Sequence, residues 1–370
     1  MGHTTSPMSI VGLAAGNLFA AQPVLRHTDV FVSGADGYCC YRIPAIETAA
    51  DGSLLAFAEA RKYNRGDPGE PNSELDLVLK RSTDGGATWS AMTVIEHAGA
   101  MWSAANPATV VNRNNGRVWL LYLRCKPDRG TATARAGTDD LQTLARTSDD
   151  QGLTWSEPID LTGVARDMND PGWTSSVVGP GGAIQTRTGR LLAPVWTCPA
   201  WHQCVLFSDD HGRTWQRGGM VPGGQNGNEN QLVELADGKI LFDIRQNSGP
   251  HRWLATSNDA GLTWSEPRPG VTVTAVACAI ERYTLKSAGD DRDRILWTGP
   301  KGPGRSHLVA RISCDEGQTF AHERLITDEP AAYSDLTILK DKTVGVLWER
   351  GDYKFITFTR LDREFIEPGR

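Results

Sequence analysis

No stretch of this sequence stays apolar for the roughly 20 residues that a helix needs to cross a bilayer. No Asn-x-Ser/Thr sequon occurs, so one mark of a eukaryotic secreted protein is missing. CxxC pairs and zinc-type His/Cys spacings are absent as well. The seven cysteines are odd in number, with Cys39 and Cys40 adjacent, and most are expected to be buried and reduced. Cys198, His202 and Cys204 lie close together, but they read as a loop cluster rather than a metal site. No metal or other cofactor is therefore expected. There is no basic block: the net charge is -6 and the arginines are scattered, which argues against a nucleic-acid partner. The N-terminal segment, residues 1–25, holds a weak apolar run from Met8 to Ala21. Its interruption by Gly and Asn and its lack of a basic flank leave a signal remnant undecided. A secreted or periplasmic location is favoured over a cytoplasmic one.

What the sequence does contain is a repeat. Ser-x-Asp-x-Gly-x-Thr-Trp occurs at Ser82–Trp89, Ser148–Trp155, Ser208–Trp215 and Ser257–Trp264. A further copy, Ser313–Phe320, ends in Phe. Successive serines are 66, 60, 49 and 56 residues apart. The motif has the chemistry of a tight hairpin turn. Asp and Ser bond nearby backbone N–H groups, Gly takes the positive-φ position, and the ring anchors the turn. Each copy offers too few carboxylates for a calcium shell. Between copies, short alternating runs such as Arg117–Leu123 and Leu191–Trp196 are broken by Gly, Asn and Asp, with no long 3.6-residue periodicity. A four-stranded blade takes about 40–50 residues or more. The fold expected is all-β: a six-bladed β-propeller of four-stranded antiparallel blades, one domain over residues 26–370, with one blade lacking a clear motif. Propeller ligands commonly sit at the central channel.

The hairpins gather charge on one rim. Leu336–Leu339, the turn Lys340–Thr343 and Val344–Trp348 bring Tyr333 and Glu349 to the open end of one hairpin. By the same reasoning the Asp51-Gly52 turn pairs Arg42 with Arg61, and the Asp237-Gly238 turn pairs Glu229 with Arg245. A strand ends at Arg61 on this rim, so the loop that follows, with Asp67, lies there too. Chain direction puts Arg305, in the loop 299–306, on the same rim and the repeated turns on the opposite one. Any one of these residues reads as a solvated strand end. Their coincidence on one rim makes a candidate site. Gly299–Ser306 nearly spells a phosphate loop, but Arg replaces Lys, two prolines remove N–H donors and a strand follows.

Arginines converging on one point suit a carboxylate or phosphate. A Tyr beside a Glu suits a nucleophile activated by a base, and an Asp on a Gly/Pro loop suits a general acid or base. The combination fits a glycoside whose sugar carries a carboxylate at the reacting carbon. A carboxylate nucleophile would be repelled there, and a neutral phenol would not.

With these residues assembled, the chain from about residue 26 onward resembles the exo-α-sialidases (neuraminidases) that carry such turns as Asp boxes. The resemblance rests on Tyr41-Arg42-Ile43-Pro44, the five boxes, Asn228–Leu235, Arg245, Arg305 and Ala332–Leu336. It implies that Arg42, Arg245 and Arg305 grip the sialic acid carboxylate and that Glu349 orients Arg42. It implies Tyr333 as nucleophile, Glu229 as its base partner and Asp67 as acid/base. Sialidases depart from the two-carboxylate rule of glycosidases in using a tyrosine. Arg61 would meet the sugar near O4, with Asn106 close by. Met101, Trp102 and Asn106 precede a strand that starts on this rim, and two readings of them stay open, the lining of an N-acyl pocket and structural packing. The implied activity is retaining hydrolysis of terminal α-linked sialic acids on glycoproteins, glycolipids or oligosaccharides. A trans-sialidase and a non-catalytic sialoglycan-binding propeller are the alternatives.

Overall fold

A computed structural model of the chain describes residues 1–2 and 25–367. The N-terminal segment, residues 1–25, whose reading as a signal remnant is undecided, therefore falls almost wholly outside the described residues. The described chain is all-β, with strands that pair antiparallel with their sequence neighbours. Cys40–Thr48, Leu54–Arg61, Leu75–Ser82 and Thr93–Glu96 form one such meander. Ser103–Val111, Val118–Cys125, Leu141–Ser148 and Ile159–Asp160 form the next. Gly227–Glu234 opens another, continued by Ile240–Gln246, His251–Ser257 and Arg268–Thr272. The long strand His322–Ile338 serves two meanders, pairing with Ser306–Ser313 through its first part and with Val344–Arg350 through its last. Leu25–Val32 pairs with Phe355–Leu361, which ties the beginning of the described chain to its end.

The opening strands of different meanders meet through buried polar groups. Asp335 accepts from the Ile46 N–H at 2.8 Å and from Gln231 Nε2 at 2.9 Å. Gln231 Oε1 in turn accepts from the Ile280 N–H at 3.1 Å. Burial pushes the Asp335 carboxyl up to about 6, against the hydrogen bonds it accepts.

The five box turns repeat one network. In the first, Ser82 Oγ accepts from the Gly86 N–H at 2.9 Å and donates to Asp84 at 2.8 Å, and Asp84 accepts from the Thr88 N–H at 2.9 Å and hydroxyl at 2.6 Å. The same bonds recur at Asp150, Asp210, Asp259 and Asp315. Gly212 has φ +88°, and a Cβ there would lie 2.0 Å from the Trp119 ring, so only glycine fits. The box rings lock neighbouring meanders: Trp215 meets Trp119 edge-on with centroids 5.4 Å apart, and Trp155 meets Phe57 at 5.8 Å.

Hydrogen bonds from the threonine hydroxyl and N–H hold Asp84, Asp150 and Asp210 down to about 2. Their folded values lie below the unfolded value near 3.8, so their contribution is complete above pH 4 and is lost as pH falls towards 2. Melting temperature is therefore expected to fall steeply between pH 4 and 2. Asp210→Asn should lower it at pH 6 and flatten the acid limb relative to wild type. An unchanged acid limb in that variant would remove the box from this role.

Candidate active site

Four of the site side chains stand on opening strands at places where the ladder is interrupted. Register shifts occur between Arg42 and Ala45, Ala105 and Ala108, Gly227 and Asn230, and Ala331 and Ser334. Beside or within them lie Arg42, Asn106, Glu229 and Tyr333. Ile43 and Asn106, inside two of these interruptions, have left-handed φ of 54° and 52°. A bulge turns the strand locally and re-aims its side chains.

Two of the three expected cross-strand registers are present. Ser334 faces Trp348 and Asn230 faces Ile244, so Tyr333–Glu349 and Glu229–Arg245 adjoin as expected. The third differs: Arg42 lies opposite Glu59, and Arg61 opposite Cys40. Nearer the turn, where Ala45 faces Phe57, the ladder is already one residue off the expected register, and the bulge after Arg42 adds one more.

Tyr333 lies at the centre. Its hydroxyl donates to Glu229, with Oη 2.7 and 2.6 Å from the two carboxylate oxygens. Arg245 Nη1 donates to the Tyr333 oxygen at 2.7 Å and also to Glu229. The guanidinium carbons of Arg42, Arg245 and Arg305 lie 5.5, 5.9 and 5.4 Å from the Tyr333 ring centroid. Burial pushes the phenol up first, and the Glu229 charge adds to it, while Arg245 and Arg42 oppose. The phenol is therefore neutral near pH 7.

Glu349 is fully used as a bracket. It accepts from Arg42 Nε at 2.6 Å, from the Ile43 N–H at 3.0 Å and from the Tyr333 N–H at 3.1 Å. Burial disfavours the Arg42 charge, but Glu349 outweighs it and the net shift is upward. Counted formally, three arginines and two glutamates, Glu229 and Glu349, leave one positive charge beside the tyrosine. Among the described residues, Arg42 Nη1, Arg245 Nη2 and Arg305 Nη2 have no protein hydrogen-bond partner. These donors are available to an anionic ligand.

Arg61 is buried and already engaged. Glu59 takes its Nε and Nη2 at 3.1 and 2.7 Å, and its Nη1 donates to the Arg65 and Gly66 carbonyls and to Asp67. It thus tethers the loop that carries Asp67, whose own side chain is 72% exposed. Glu59 also accepts from the Asn106 N–H at 2.9 Å.

A cavity of about 450 Å³ collects Arg42, Arg61, Asp67, Asn106, Glu229, Arg245, Arg305 and Tyr333, and Glu349 lies beneath it. Its apolar wall is Leu123, Val177, Trp196 and Trp201, the two indoles stacked at 5.5 Å. Met101 and Trp102, candidates for that wall, do not line the cavity, and Trp102 lies 5.8 Å from the Arg124 guanidinium instead. They precede the strand Ser103–Val111 that carries Asn106. Not expected from the sequence were Glu59, the tryptophan pair and Tyr353, whose hydroxyl oxygen accepts from Arg305 Nη1 at 2.7 Å. Glu59 carried a signal, because residues two apart on a strand share a face and it stands two before Arg61. Among the described residues, Cys314, His322 and Glu367 could gather around a metal, and none of them lines the cavity.

Known proteins resemble the chain over most of its length. Residues 52–346 match the BNR repeat-like domain family. A Micromonospora viridifaciens sialidase is 34% identical over 89% of the chain, and the chain spans 53% of that relative's length. A Clostridium perfringens sialidase is 30% identical, with 74% of each chain covered. The solved structure of a Hadza microbial sialidase, Hz136, superposes with a TM-score of 0.82 at 27% identity over 90% of this chain and 68% of that one.

Proposed function

The chain belongs to the sialidase family, and on that premise we propose that it is an exo-α-sialidase acting by retention through a tyrosyl-linked intermediate. Its substrates are terminal α-linked sialic acids on glycoproteins, glycolipids or oligosaccharides. The observation that carries this reading is the Tyr333 hydroxyl held between Glu229 and Arg245 under three arginines. The antiparallel meanders act as six propeller blades around one axis, whose mouth is the cavity.

In this reading Arg42, Arg245 and Arg305 bind the substrate carboxylate, and the spare positive charge is neutralised by it. Tyr333 Oη attacks the anomeric carbon as Glu229 takes the phenol proton. Asp67 protonates the departing glycosidic oxygen, and the bond to the aglycone breaks. Water then attacks the same carbon from the side the aglycone left, giving its proton to Asp67. The carbon–Oη bond breaks and Glu229 returns the proton to the phenol. Two displacements give overall retention. Arg61 and Asn106 face the sugar near O4, and the Trp196–Trp201 wall receives its apolar substituent.

Purified protein is expected to release the fluorophore from an α-sialoside and free sialic acid from sialyl-oligosaccharides. Absence of turnover across α2,3- and α2,6-linked sialosides and a deaminated analogue would sink the reading. Transfer to added lactose in preference to water would favour a trans-sialidase.

A further inference from the structure

We propose that Tyr353 is a positioning residue for the arginine cluster, an inference that rests on the sialoside reading of the site. Tyr353 lies in the turn between Val344–Arg350 and Phe355–Leu361. Gly351, Asp352 and Tyr353 have successive φ values of 63°, 55° and 64°. Left-handed backbone is unfavourable for Asp and more so for a bulky aromatic residue. Such strain persists where the surroundings over-determine it. Here they do: the Gly351 N–H donates to the Pro330 carbonyl at 2.9 Å, Ser33 Oγ donates to the Tyr353 carbonyl at 2.7 Å, and the Ser33 N–H donates to the Lys354 carbonyl at 2.9 Å.

The strained turn delivers one side chain to two arginines. The Tyr353 ring lies 4.2 Å from the Arg42 guanidinium carbon, at cation–π distance. Its hydroxyl oxygen accepts from Arg305 Nη1 at 2.7 Å. The same turn reaches the Asp67 loop, with Arg65 5.6 Å from the ring and 3.5 Å from the Asp352 carboxylate.

The three arginines are anchored differently. Arg42 pairs with Glu349 and Arg245 with Glu229. Arg305, in the Gly-rich loop before Ser306–Ser313, has no ion pair among the described residues, and Tyr353 is the hydrogen-bond partner that fixes it. A carboxylate in that place would cancel the spare positive charge of the cluster. A neutral phenol fixes the guanidinium and leaves the charge for the ligand. Tyr353 thereby tunes the site for a carboxylate rather than for a neutral sugar.

The test compares a 2,3-unsaturated sialic acid analogue with its carboxamide, by calorimetry or competition, in wild type, Tyr353→Phe and Tyr353→Leu. Tyr353→Phe should weaken binding of the acid by about tenfold and of the amide by less than about twofold, as expected for a lost charge-assisted contact. KM for a sialoside should rise by a similar factor, with kcat changed by less than about threefold. Tyr353→Leu, which also removes the ring from Arg42, should reduce acid-over-amide discrimination further. Equal losses for acid and amide, or no loss in Tyr353→Phe, would overturn the proposal. If the leucine variant does not fold, the phenylalanine variant decides alone. Failure of wild type to bind either compound would instead overturn the sialoside reading, and this inference with it.

Discussion

Tyr333→Phe is expected to lower kcat for α-sialosides by at least about a thousandfold while leaving KM within a few-fold. The substitution removes one oxygen and keeps the ring that the three guanidinium groups surround. On the proposed mechanism, carboxylate binding should therefore survive and the covalent route should not. Losing a nucleophile returns the reaction to direct attack by water, with only the binding and electrostatic contributions left. Glu229 loses its proton donor at 2.6–2.7 Å and keeps Arg245. The fold should hold, since the Tyr333 N–H still donates to Glu349. Burial and Glu229 hold the wild-type phenol neutral, so an alkaline limb in the pH–rate profile below pH 9 would arise elsewhere. A variant retaining a tenth or more of wild-type kcat would contradict the assignment.

Arg245→Ala is expected to lower kcat/KM by at least about a hundredfold. Truncating one partner of a buried charge pair costs about 2–5 kcal/mol, much of it from the charge left behind. Arg245 bonds both Glu229 and the Tyr333 oxygen, so under the proposed mechanism its loss removes a carboxylate clamp and the countercharge of the base at once. Arg117 is the control. It pairs with Asp149 in an exposed salt bridge, and such pairs contribute about 0–1 kcal/mol. Arg117→Ala should therefore leave kcat/KM within about twofold. Equal effects at the two positions would remove Arg245 from the site.

Much of this was readable from residue order because hairpins with Asp-Gly or similar turns fix their own register. That is why Glu229–Arg245 and Tyr333–Glu349 could be placed from turn centres alone. The same arithmetic misplaced Arg42 against Arg61 by two residues: across the turn Thr48 faces Leu54 rather than Leu55, and a bulge, which leaves no mark in an alternation of polar and apolar residues, shifts Arg42 one further. The strand expected from Leu336 in fact begins at His322 and runs through Pro330. Pro330 lies where the strand changes partner from Ser306–Ser313 to Val344–Arg350, so its missing N–H removes little from the ladder. Met101 and Trp102 misled by proximity to Asn106, since the strand that aims Asn106 begins after them at Ser103. Tyr353 was beyond reach. Its position depends on three left-handed residues and on Ser33, 320 residues away, closing against the last strands. The tryptophan wall was equally hidden, because Trp201 reaches the cavity from an irregular loop outside any periodic run.

The central claim is that Tyr333 becomes covalently bonded to the sugar. A sialyl fluoride bearing a second fluorine at C3 tests it most directly. The anomeric fluoride leaves readily, and the C3 fluorine slows hydrolysis of the adduct. Peptide mass spectrometry of the stopped enzyme should find the fluorosialyl group on Tyr333 at one per chain, and none in Tyr333→Phe. A protein that turns over sialosides yet carries the label on Asp67 or Glu229, or nowhere, would contradict the account.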